Sequence, residues 1–172
     1  MKLARAVVGG GIGALLTVLL LALAQRMSGA ATDVSTVIGA LVFSSGGGVA
    51  WCVGAATQLV IGAVAGVLYA AAFEWVFRHA GAVVGLLVAI PHAVVAGLAI
   101  GFAPVWLRAA PDALPGAFLA FAGPAAAACF IAAHLVFGAF VGVWYGETIH
   151  RTATPAVTWH DVPSPGAGQG TA

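Results

Sequence analysis

The chain has 172 residues, of which 62% are hydrophobic and 6% charged, and its net charge is +1. An ordinary soluble domain carries about 25% charged residues, so this chain lacks the polar side chains to cover itself in water, and its solvent is lipid. The small net charge, without a basic cluster, argues against nucleic acid as a partner.

Four stretches reach the roughly 20 apolar residues that a helix needs to cross a bilayer: about residues 6–24, 49–73, 80–107 and 117–146. The first follows Lys2 and Arg5 and ends in Ala22-Leu-Ala24 before Gln25, which imitates a cleavable signal peptide. Its apolar run is near spanning length, beyond the roughly 7 to 15 residues of a signal core, so it is expected to be retained as the first span. Between the first two spans, Thr32 or Asp33 can cap a helix start. Val34, Val37, Ile38, Leu41 and Val42 then share a face, which predicts a short amphipathic helix lying on the outer interface. A re-entrant segment is the alternative. In the third span Pro91 removes the hydrogen bond to the Leu87 carbonyl next to His92. Pro104, Pro111 and Pro115 predict a tight non-helical turn after it. Pro124 is expected to kink the fourth span and free the Ala120 carbonyl. Beyond Arg151, Pro155, Pro163, Pro165 and the glycines at 166, 168 and 170 predict a disordered tail over 151–172.

Lys2, Arg5, Arg78 and Arg151 fall on one side of these spans, and Arg26 and Arg108 on the other. This bias places both termini in the cytoplasm, in a multi-pass protein of the inner membrane.

The spans repeat one another. His134-Leu-Val-Phe-Gly-Ala-Phe-Val-Gly-Val-Trp-Tyr-Gly146 aligns with Gln58-Leu-Val-Ile-Gly-Ala-Val-Ala-Gly-Val-Leu-Tyr-Ala70, with 7 of 13 positions identical at an offset of 76 (134 − 58). Ala6-Val-Val-Gly9 aligns with Ala82-Val-Val-Gly85 at the same offset. A fixed period marks an internal duplication. It predicts an all-α membrane domain over 1–150, built of two helix hairpins in a parallel repeat, with halves of about 5–79 and 80–150.

Within each hairpin the small residues form stripes. Gln58, Gly62, Gly66 and Tyr69 share one helix face, as do His134, Gly138, Gly142 and Tyr145. Glycines four apart let helix backbones approach closely in lipid, so Gly62, Gly66, Gly138 and Gly142 are expected to pack against neighbouring helices. The polar residues on these faces then point inward. Thr17, Gln58, His92 and His134 each lie eleven or twelve residues from the cytoplasmic end of their span, roughly 17 Å deep at 1.5 Å per residue. That depth predicts one polar layer at the bilayer midplane.

The layer admits three readings. Its members can satisfy one another and fix helix register, in a purely structural protein. They can mark a ligand, proton or ion path, since ionisable groups inside membranes tend to do so. Or His92 and His134 can ligate haem or a metal, although without neighbouring Cys, Asp or Glu they make a sparse metal site, and neither metal nor cofactor is expected. Cys52 and Cys129 read as packing residues. Glu74 with Arg78, and Glu147 with Arg151, are four apart and read as solvated helix ends. No phosphate-binding loop, zinc-hydrolase motif or nucleophile elbow is present, so no enzyme is expected.

The ending His-Leu-Val-Phe-Gly-x-x-x-Gly-x-x-Tyr-Gly (His134 to Gly146), with the Asp-initiated segment Asp33-Val-Ser-Thr-Val-Ile-Gly39, resembles a group of small uncharacterised bacterial four-helix membrane proteins, catalogued as a domain of unknown function. The resemblance covers roughly residues 5–147 and implies topology, not chemistry. The sequence reading is therefore a non-enzymatic membrane protein of binding or transport type, or a subunit of a membrane assembly. Its partners would be the bilayer and either further copies of itself or another membrane protein.

Overall fold

The computed structural model describes residues 1–28, 33–43, 47–107 and 116–148, with the side chains of 27, 28, 41 and 103–107 excepted. The predicted tail at 151–172, with Arg108, Pro111 and Pro115, lies outside the described residues. The described chain is all-α. It runs α1 (Leu3–Ser28), α2 (Val34–Phe43), α3 (Gly47–Ala71), α4 (Ala82–Leu107) and α5 (Pro124–Tyr145). A π-helical turn, Ala72–Phe77, extends α3, and a 3₁₀ segment, Ala117–Ala122, precedes α5. Four of these helices are long and apolar enough to span a bilayer: Leu3–Arg26, Gly47–Phe77, Ala82–Phe102 and Pro124–Tyr145. Their outward faces are apolar, as at Leu19, Val60, Leu68, Val83 and Val95. A shell of this kind suits hydrocarbon rather than water.

The long helices pack in the order α3–α1–α5–α4. Backbones meet closely at glycines in two of these junctions. Between α1 and α3, a Cβ added to Gly10 would collide with the Gly62 carbonyl, and one on Gly66 with the Ala6 carbonyl. Between α4 and α5, a Cβ on Gly85 would strike the Gly138 carbonyl, and one on Gly142 the Gly81 carbonyl. The third junction, α1 on α5, is filled by side chains, with Phe137 against Gly13 and Trp144 against Gly9. The backbones of α3 and α4 do not pack closely along their length. Side chains bridge that interval instead, and a crevice results.

Three elements differ from the sequence expectations. First, α2 does not lie across the helix ends as an interfacial helix would. Gly54 meets Ser35 and Gly39 meets Ala50, so α2 runs antiparallel along the first turns of α3. Small residues four apart on both helices permit that contact. Its free side carries Val42 and Phe43, both exposed, so no polar face is turned outward there. Second, the fourth span is not continuous from residue 117. Gly123, at φ 99°, adopts a backbone conformation that favours glycine, and Pro124 occupies the first turn of α5, where its missing N–H costs nothing. Pro124 therefore starts a helix rather than kinking one, and the Ala120 carbonyl accepts from the Gly123 N–H at 3.1 Å. Third, Pro104 lies within α4 and not in the turn that follows it.

The glycine contacts make a direct prediction. Gly10→Ala and Gly85→Ala each force a methyl into a neighbouring backbone and should lower stability by about 1–3 kcal/mol. Gly11→Ala enters open space and should be neutral or gain up to about 1 kcal/mol in helix propensity. Thermal unfolding of the three variants in mild detergent checks the ranking.

Candidate functional site

The crevice between α3 and α4 widens into a cavity of about 80 Å³ lined by Ala14, Thr17, Gln58, Ile61, Gly62, Ala65, His92, His134 and Phe137. All four polar residues singled out in the sequence line this one space, each from a different long helix. The glycine junctions set this geometry. Gly62 seats α3 on α1 beside Ala14, one turn from Thr17 and Gln58. Gly138 seats α5 on α4 beside Ala89, near His92 and His134. Ile61, exposed on α3, forms the rim.

Each polar group has one bond that orients it. Thr17 Oγ donates to the Gly13 carbonyl at 3.0 Å. Gln58 Nε2 donates to Ser35 Oγ at 2.8 Å, tying the cavity to the start of α2. Asp33 caps that same start, accepting from the Thr36 N–H at 3.2 Å. His134 Nδ1 lies 2.8 Å from the Phe130 carbonyl. A carbonyl can only accept, so this nitrogen carries a proton, and in the neutral ring Nε2 is left as an acceptor. His92 Nδ1 lies 3.1 Å from Tyr69 Oη, where either partner can donate.

Neither His92 Nε2 nor His134 Nε2 has a hydrogen-bond partner among the described residues. Yet among the described residues no enclosed side-chain nitrogen or oxygen is without one. Both Nε2 atoms therefore touch open space, and the cavity is the space the two residues share. The imidazoles meet nearly edge to face, with centroids 5.1 Å apart. Aromatic rings enclose them: Phe130 lies 4.2 Å from His134, and Phe137 and Tyr69 lie 5.3 Å and 5.6 Å from His92.

The haem alternative does not fit this arrangement. A porphyrin held between two axial imidazoles would occupy the space in which these rings already touch, and the cavity is far smaller than a macrocycle. Among the described residues no three His, Cys, Asp or Glu side chains gather as a metal site. Cys52 is exposed and Cys129 half-buried, and both are free thiols.

A second polar group sits at the end of the bundle that carries the N-terminus. Glu74, 1% exposed, accepts from Tyr145 Oη at 2.6 Å. That hydroxyl also accepts from the Lys2 backbone N–H at 2.9 Å. Glu74 is thus buried in the π-helical turn, and not solvated as a helix end with charges four apart suggests. Arg78 has left-handed backbone angles and ends the turn. Phe73, fully buried, stands between this group and Tyr69, so an apolar ring interrupts the polar groups between chain end and cavity.

Sequence reasoning passed over four participants. Ser35 could have been found from the paired small residues Ser35/Gly39 and Ala50/Gly54. Tyr69 shares the Gln58 stripe, yet nothing in the spacing pairs it with His92. The Phe130 carbonyl lies one turn before His134, a common place for a histidine in a helix to bond. The burial of Glu74 has no signal in the sequence, because the π turn that rotates it inward has none.

No family model matches the chain, no curated protein matches it, and no solved structure matches it. The resemblance to bacterial four-helix membrane proteins identifies no family; the description that stands is an apolar all-α protein with four candidate spans.

The Glu74 group yields a test at the chain end. Tyr145→Phe removes the hydroxyl that joins the buried carboxylate to the Lys2 backbone, and leaving such groups without it costs about 1–3 kcal/mol. The variant should unfold at lower temperature in detergent, while Thr148→Val, which loses a bond to the Arg78 carbonyl nearer the surface, should lose less.

Proposed function

We propose that this is a non-enzymatic, multi-pass membrane protein of binding or transport type, alone or as part of a larger membrane assembly. Its working part is the cavity between α3 and α4, lying at the bilayer midplane. The observation that carries this reading is that His92 and His134 each have Nδ1 engaged and Nε2 turned to open space, above a cavity whose other polar lining is Thr17 and Gln58. A layer kept only for helix register would be expected to close on itself, because an unsatisfied polar group in hydrocarbon is costly. Here four helices keep polar atoms around an opening.

The cavity lies between two hairpins of like orientation that we read as duplicated. Support comes from packing as well as letters. Gly62 and Gly66 meet α1 at Ala14, Gly10 and Ala6, while Gly138 and Gly142 meet α4 at Ala89 and Gly85 and, just before its start, Gly81. The second helices correspond at an offset of 76 (138 − 62) and the first at 75 (85 − 10), one residue from the Ala6–Ala82 register that the letters suggest. The excess of Lys and Arg favours both termini in the cytoplasm. A fluorescent reporter fused to the C-terminus, bright only when it stays cytoplasmic, tests that orientation, and a dark fusion in intact cells would overturn it.

Binding and register make opposite predictions at Thr17. Among the described residues its hydroxyl bonds only within its own helix, so Thr17→Val should leave the unfolding temperature unchanged or raised. Wild type should be stabilised saturably by a member of a panel of small polar solutes, and Thr17→Val should need more of that solute for the same response. A structural layer would instead give a destabilised variant and a wild type indifferent to every solute.

A further inference from the structure

The hydrogen-bonding inventory of the cavity is lopsided. Thr17 has committed its only proton to the Gly13 carbonyl, so its oxygen can offer lone pairs alone. Gln58 has spent one amide N–H on Ser35, and its carbonyl oxygen has no partner among the described residues. His134 is held as the Nδ1–H tautomer by the Phe130 carbonyl, so its Nε2 is an acceptor, on a side chain only 9% exposed. Three fixed acceptors therefore line the space. Against them stand the second amide N–H of Gln58 and a fourth group, His92, whose Nε2 donates or accepts according to which way the Tyr69 hydroxyl points. No carboxylate lines the cavity, so nothing there compensates a divalent cation, whose cost in hydrocarbon is high. The volume of about 80 Å³ admits only a few non-hydrogen atoms.

We infer that the cavity takes a very small donor-rich ligand of the amine class, ammonia or a short protonated primary amine, held by its N–H groups on Thr17 Oγ, Gln58 Oε1 and His134 Nε2. This rests on the cavity being a ligand site, and it adds which chemistry the site selects. The aromatic wall suits the class, since Phe137 lines the cavity and offers its ring to a polarised N–H or a single positive charge. His92 adapts to the nitrogen of the ligand, donating to the lone pair of neutral ammonia and accepting the fourth N–H of ammonium, while a protonated primary amine places its alkyl group there. No bond is made or broken.

The test is binding of radiolabelled methylamine to the full-length protein in mild detergent, at constant ionic strength. Saturable binding is expected, competed by ammonium chloride and not by tetramethylammonium chloride, which has the charge but no N–H. Thr17→Val should weaken binding about threefold to tenfold, the equivalent of one neutral hydrogen bond, while Gly11→Ala, remote from the cavity, should bind as wild type does. Equal competition by tetramethylammonium would overturn the donor requirement. The wild-type competition stands even if a variant fails to fold. If methylamine does not bind but an acceptor-only solute such as dimethyl sulfoxide stabilises wild type saturably, the ligand class is wrong and the cavity remains a binding site. If neither solute acts, both readings fall.

Discussion

Everything in this bundle depends on how closely two backbones can approach where there is no water to drive them together. In hydrocarbon, apolar side chains gain nothing by leaving lipid for protein, and association comes from dispersion contact and polar complementarity. Gly10, Gly62, Gly66, Gly85, Gly138 and Gly142 provide that contact, each in a place where a Cβ would meet a neighbouring main chain. They draw α1 onto α3 and α4 onto α5. The two pairs then join through larger side chains, Phe137 and Trp144 among them. The tight junctions define the hairpins, and the loose one leaves room between them.

That room is where the chemistry lies. Because α3 and α4 do not close on each other, Tyr69 has to reach across to His92, and the polar atoms of Thr17, Gln58 and His134 are left at the edge of an opening. The α2 segment belongs to the same design. It is seated on α3 by Ser35, Gly39, Ala50 and Gly54, and its serine holds the Gln58 amide. A helix that sequence periodicity assigns to the membrane surface is thus joined to the cavity by a hydrogen bond. At the other end Phe73 separates the cavity from the buried Glu74–Tyr145 pair. An opening at one level, capped by an aromatic plug on one side and a tethered short helix on the other, suits a site that holds a ligand more than an unbroken water-filled channel.

Much of this could be read from the chain before any coordinates. Composition requires lipid, span lengths require four helices, and glycine spacing identifies Gly62, Gly66, Gly138 and Gly142 as residues at close contacts. Counting along the helices selects Thr17, Gln58, His92 and His134 as neighbours in depth, because a straight helix converts sequence distance into height. The failures share a cause. Periodicity gives Val34 to Val42 an apolar face but cannot say whether lipid or another helix covers it. A proline signals a break, but whether Pro124 kinks a helix or starts one depends on the positive φ of Gly123. Glu74 looks solvated because a spacing of four assumes regular α geometry, and the π turn changes that rotation. The Phe130 carbonyl is a local partner one turn before His134, whereas the pairing of Tyr69 Oη with His92 is set by tertiary geometry alone.

The two histidines have their Nδ1 atoms engaged and present Nε2 to one shared cavity. Nitrogen-15 NMR of histidine-labelled protein in detergent or lipid measures this directly, with His92→Asn and His134→Asn used to assign the signals. Neutral His134 is expected to carry its proton on Nδ1 with Nε2 bare, and the His92 Nδ1 signal to move in Tyr69→Phe. A His134 ring protonated on Nε2, or a His92 signal indifferent to Tyr69, would contradict this arrangement.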